Sequence, residues 1–88
     1  MTNKAKIEEK LNELGLSMGG YNSELERLSK KELEKVLDNM EYGSTDIQVK
    51  IRQKEYVVEV YHVDNEVDFG MLTTEQYENR YGRAVGEE

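Results

Sequence analysis

The chain has 88 residues, of which 36% are hydrophobic, 8% aromatic and 35% charged, and its formal net charge is −7. That length makes one domain with a modest core, and the absence of cysteine excludes a disulfide framework, thiol catalysis and a Cys-ligated zinc site. No stretch approaches the roughly 20 apolar residues of a membrane span, and Met1 to Lys10 is polar with no apolar secretory core, so the expected address is the cytoplasm.

Thr2 or Asn3 caps a first helix in which Ile7, Leu11 and Leu14 follow at helical spacing. Gly15 stands where a left-handed terminal residue is wanted, and Leu16 can fold back onto the helix. Leu16 to Tyr21 reads as a loop, and Asn22 or Ser23 caps a short turn containing Leu25 and Leu28. Ser29 and Glu32 have the spacing of a capping box. The helix they open sets Leu33, Val36, Leu37 and Met40 on one face and ends near Tyr42-Gly43; the two pieces are alternatively one kinked helix.

From Asp46 the apolar period changes to two. Ile47, Val49 and Ile51 alternate with Gln48, Lys50 and Arg52, and two more strand-like runs follow, from Glu55 to Val63 and from Glu66 to Leu72. Turns at Gln53-Lys54 and Asp64-Asn65 pair Ile51 with Tyr56, Val49 with Val58 and Ile47 with Val60. Across the second turn, Val60 meets Phe69, His62 meets Val67 and Val58 meets Met71. All six pairs share one face, with Arg52 opposite Glu55 on the other. Thr73, with Gln76 in the reciprocal position, opens a last helix through Tyr77 and Tyr81 to Gly82. The predicted fold is α+β. Two to three N-terminal helices (1–43) precede a three-stranded antiparallel meander (44–72), a short C-terminal helix (73–82) and a frayed tail (83–88), with the helices on the apolar face of the sheet.

Charge is unevenly spread. Residues 1–44 carry 9 acids and 7 bases, whereas residues 45–88 carry 10 acids and 5 bases. Between Glu55 and Asn79 stand Glu55, Glu59, Asp64, Glu66, Asp68, Glu75 and Glu78 with no Lys or Arg. Such a field repels phosphate backbones and anionic lipids and attracts basic surfaces; the plainer reading is a solubilising surface. The outward sheet face also holds Val57, Tyr61 and Val63. Either the last helix crosses to cover them or they form a binding patch rimmed by charge.

Catalysis lacks parts: there is one histidine, no nucleophile elbow, and no Lys-Ser/Thr pair after Gly19-Gly20. His62 with Asp64, Glu66 and Asp68 gives a metal-like spacing, but the Asp64-Asn65 turn breaks it and Phe69 stands where a calcium loop needs glycine. No enzyme activity, cofactor or metal is expected. The six tyrosines, against one phenylalanine and no tryptophan, suit interfaces and shallow cores alike.

Leu16-Ser-Met-Gly-Gly-Tyr-Asn-Ser-Glu-Leu25 resembles the second half of a SAP domain, a DNA-binding helix pair, with Asn22 where that motif is basic. Three helices before a hairpin resemble winged-helix proteins, whose recognition helix would here hold Glu32, Glu34 and Asp38, the wrong charge against phosphate. In its brevity, its Lys/Glu/Asn-rich helices, its lack of Cys and Pro and its Thr-Thr-Glu-Gln-Tyr-Glu-Asn-Arg-Tyr ending, the chain is similar in composition to small acidic accessory proteins of bacteriophages. That resemblance implies a protein that blocks host machinery, as anti-CRISPR proteins do. The expected function is therefore inhibition of a host protein with a basic surface, such as a nucleic-acid enzyme. Glu55, Glu59, Asp64, Glu66, Asp68, Glu75 and Glu78 would supply the charge, and Val57, Tyr61 and Tyr77 the apolar anchors. No direct nucleic-acid or membrane binding is expected. The alternative is a homodimeric structural or regulatory module joined by a sheet face or strand edge.

Overall fold

The computed structural model describes residues 2–41, 43 and 45–84. Helix α1 spans Asn3–Glu13, and the Thr2 hydroxyl accepts the Ala5 N–H at 3.1 Å as its cap. It ends as the glycine predicts. Gly15 takes φ +76°, its N–H donates to Asn12 O, and Leu16 N–H reaches back to Leu11 O at 2.8 Å. A 3₁₀ turn at Ser23–Arg27 follows, with the Asn22 side chain accepting the Glu24 N–H, and helix α2 runs separately from Lys30 to Glu41. Asn3 joins α1 to the turn by donating its side-chain amide to Leu25 O and Leu28 O, at 2.7 and 3.1 Å.

The capping box predicted for α2 is only half formed. Ser29 Oγ accepts the Glu32 N–H at 3.3 Å, but Glu32 Oε2 is buried without a partner. The inward stripe is as expected, with Leu33, Val36 and Met40 buried and Leu37 packed against them. Tyr42 and Ser44 lie outside the described residues, so the predicted end of the helix is observed only at Glu41 and at Gly43, where φ is +76°.

The sheet has four strands, not three, in the order β1-β4-β3-β2. Strand β1 is Ser17–Met18, within the stretch expected to be loop, and it runs parallel to β4 (Glu66–Thr73). Its pairing extends beyond its two residues, through Ser17 N–H to Asn65 O, Gly19 N–H to Val67 O and Phe69 N–H to Gly20 O. The meander of β2 (Asp46–Ile51), β3 (Lys54–Val63) and β4 is antiparallel.

The second hairpin has the predicted register, with Val60 opposite Phe69, His62 opposite Val67 and Val58 opposite Met71. The first is shifted by two residues: Ile51 pairs with Lys54, Val49 with Tyr56 and Ile47 with Val58. Its turn is Arg52-Gln53, with φ +50° and +69°, so Lys50, not Arg52, lies opposite Glu55. Two positive φ values are what a two-residue hairpin requires to match strand twist, even without glycine. Because the shift is even, every side chain keeps its predicted face.

The helices occupy both faces of the sheet. Helices α1 and α2 with the 3₁₀ turn cover the inner face, where Ile47, Val49, Ile51, Val58, Val60, Val67 and Phe69 join Ile7, Leu11, Leu25, Leu33 and Val36 in one core. Helix α3 (Thr74–Tyr81) instead folds back over the outer face. Thr73 and Gln76 form a complete capping box, with both bonds at 3.0 Å, and the helix closes at Gly82, φ +65°. Of the predicted tail, residues 85–88 lie outside the described set, while Arg83 sits over the Tyr81 ring at 5.6 Å. No helix of the described residues is long and apolar enough to cross a membrane.

Candidate protein-binding surface

Outer-face side chains come from alternate positions of three strands. The register sets them in rows: Gln48–Val57–Leu72, then Asp46–Glu59–Gly70, then Tyr61–Asp68 and finally Val63–Glu66. Helix α3 decides which rows meet solvent. Tyr77 and Tyr81, one helical turn apart, both point down to the sheet. Tyr77 donates to Asp46 Oδ2 at 2.7 Å and Tyr81 to Glu59 Oε2 at 2.6 Å. Their rings meet at 4.7 Å with a 51° tilt. Two adjacent carboxylates on neighbouring strands are thus matched by two hydroxyls at i, i+4.

This cover removes three of the predicted contact residues from the surface. Val57 is 0% exposed, Glu59 3% and Tyr77 1%. They hold α3 in place and cannot serve as anchors for a partner while the helix is docked. A buried carboxylate needs compensation, and Glu59 has the Tyr81 hydroxyl and the Arg80 guanidinium, the latter at 3.8 Å. Burial first, and then the neighbouring Glu59 and Tyr81 side chains, hold the Tyr61 hydroxyl well above the ordinary phenol range. The Tyr77 hydroxyl is also raised, chiefly by its bond to Asp46.

Among the described residues the outer face is open beyond the end of α3. Tyr61 is 44% exposed and Val63 55%, with Tyr81 at 39% beside them. Thr45, Tyr61, Val63, Tyr81 and Arg83 border a shallow groove of about 490 Å³ here. Asp64, in the turn at φ +55°, and Glu66, opposite Val63, carry exposed carboxylates around this apolar end. Asp68 belongs to the same end but is tied into the fold, since its Oδ1 accepts the Gly20 N–H at 2.5 Å. A Cβ at Gly19 would overlap the Asp68 carboxylate, which would have to move away from the Gly20 N–H.

The remaining predicted acids lie elsewhere. Glu75 and Glu78 are exposed on α3, and Glu55 faces Lys50 at the far end of β3. Tyr61, Asp64, Glu66 and Asp68 are therefore brought together, and Glu55, Glu75 and Glu78 are not. Val63 was read from sequence as part of the outward patch but not as a contact residue, and Tyr81 and Arg83 were not selected; the i, i+4 relation of Tyr81 to Tyr77 was the available signal. His62 faces the inner side, opposite Val67, but is exposed, at the rim of a small apolar recess with Leu14 and Leu16. Among the described residues no three His, Cys, Asp or Glu side chains come together as a group able to hold a metal ion.

No family model matches the chain, and neither a curated protein nor a solved structure does.

Proposed function

We propose that the chain is a binding protein that occupies a basic surface of another protein and inhibits it. The surface in question is of the kind that holds nucleic-acid phosphates. The observation that supports this reading is the open end of the outer face, where exposed Tyr61 and Val63 stand within a rim of Asp64 and Glu66. An apolar centre with charge at its edge is the usual anatomy of a protein-binding patch. Carboxylates at such a rim steer Lys- and Arg-rich partners and disfavour phosphate. The compositional similarity to phage accessory proteins favours a host nucleic-acid enzyme, such as a CRISPR effector, as the target.

The test is capture from bacterial lysate on immobilised protein, with stepped salt elution and competing DNA or RNA. A nucleic-acid enzyme released by moderate salt and displaced by the competitor is the expected result. If the captured proteins neither bind nucleic acid nor yield to the competitor, the mimicry reading fails.

A further inference from the structure

Among the described residues strand β2 ends the sheet, so one of its two sides has no strand beside it. The bond from Val60 N–H to Thr45 O fixes the alternation along it. Main-chain groups of Thr45, Ile47, Val49 and Ile51 turn toward β3, and those of Asp46, Gln48 and Lys50 turn outward. An open groove of about 660 Å³ runs beside this edge, bordered by Lys31 and Lys35 of α2 and by Gln48 and Lys50.

Free edges are normally blunted by proline, a bulge, a cover or charged side chains, because their unpaired groups recruit other strands. Strand β2 has six residues, no proline, and no covering segment among the described residues. Its outward residues read Asp46, Gln48, Lys50: opposite charges placed symmetrically about a neutral amide. We propose that β2 pairs antiparallel with β2 of a second copy of this chain, about a two-fold axis at Gln48. In that register Asp46 of each copy faces Lys50 of the other, and the residues whose main-chain groups point outward are the ones that meet. A shift by one residue opposes inward-turned groups, and a shift by two sets one of the two charges against Gln48 and the other against a position beyond the strand. The two four-stranded sheets then become one continuous sheet. The acidic end of the outer face lies on β3 and β4 and stays open, so this pairing stands or falls independently of the partner-binding reading.

Sedimentation velocity on the full chain, from about 5 to about 500 µM, tests it. The mass should climb from 10.3 kDa toward twice that value. Gln48→Pro removes an outward N–H without taking a bond from the β2–β3 ladder, so it should remain monomeric with an unchanged circular dichroism spectrum. Lys50→Asp should weaken the dimer on the order of tenfold by setting like charges opposite each other. Mixing it with Asp46→Lys should restore a heterodimer; Gln48→Pro decides the matter if Asp46→Lys, which loses its Tyr77 bond, does not fold. A chain that stays monomeric throughout, or self-association that Gln48→Pro leaves intact, overturns the proposal.

Discussion

The two faces of the sheet are closed in different ways. On the inner face α1 and α2 meet branched aliphatic side chains, and the contact is one of volume and shape. On the outer face α3 is seated by two tyrosine–carboxylate bonds, Tyr77 to Asp46 and Tyr81 to Glu59, on the side of the sheet that also carries the Val57–Leu72 pair. Apolar packing is non-directional and sums over a large area, whereas buried carboxylates depend on particular hydroxyls and lose heavily when one is missing. The inner face therefore carries the stability of the domain. The outer face fixes where one short helix stops, and hence how much of the sheet remains open beside it.

Substitutions sharpen that contrast. Leu33→Ala, in the inner core, should lower global stability by about 2–5 kcal/mol in urea unfolding. On the outer face Tyr77→Phe keeps the ring but leaves Asp46 without its donor, and should cost roughly 1–2 kcal/mol. That loss should appear as faster amide exchange in α3 while β2–β3 amides stay protected. Equal loosening of both regions in Tyr77→Phe would break the distinction between the two faces.

Alkaline pH provides a milder probe. Tyr61 and Tyr77 have folded-state pKa values raised above their unfolded values, as does Tyr21 through burial and its bond to Glu26. Their contribution to stability is thus fully present below the unfolded tyrosine pKa of about 10 and is lost as pH rises beyond it toward the folded values. Stability should decline above about pH 10, and the decline should be shallower in Tyr77→Phe; a flat profile to pH 12 (on the order of two units above the free phenol) would contradict the raised hydroxyls. Glu26 works in the opposite direction. The Tyr21 bond, with the N–H groups of Asn3 and Lys4, lowers its pKa, so its support of the α1 N-terminus should fade as pH falls below the ordinary glutamate value.

The smallest effect is local to the β1 edge. Asp68→Asn weakens the bond to Gly20 N–H and should cost about 1 kcal/mol. Exchange at Gly19 and Gly20 should quicken while α3 stays unchanged.

Much of this architecture is legible in the residues. Period-two runs located the first and third strands of the meander and a β-branched, aromatic run the second, while Gly15 and the Thr73–Gln76 box marked helix ends because each supplies a particular backbone bond. Strand β1 was not legible, since two residues, Ser17 and Met18, carry no period and their pairing depends on a distant strand. The first turn misled because Arg52 and Gln53 adopt positive φ without the glycine that usually announces it. For the candidate site, sequence named Tyr61, Asp64, Glu66 and Asp68 among ten contact residues without setting them apart. It also grouped Glu59 with Glu55, although α3 buries one and leaves the other exposed. Nothing local distinguishes them; the difference is created by Tyr77 and Tyr81 arriving from another element.

Comparing two charge-neutralised variants in the lysate capture is the most direct test of where a partner binds. Asp64→Asn with Glu66→Gln removes the rim charge without touching the Asp68–Gly20 bond, and Glu75→Gln with Glu78→Gln removes as much charge from α3. The open-end account predicts that the first variant releases the captured nucleic-acid enzyme at distinctly lower salt and that the second elutes with the unmodified chain. Unchanged elution for the first variant, or loss only in the second, would contradict it.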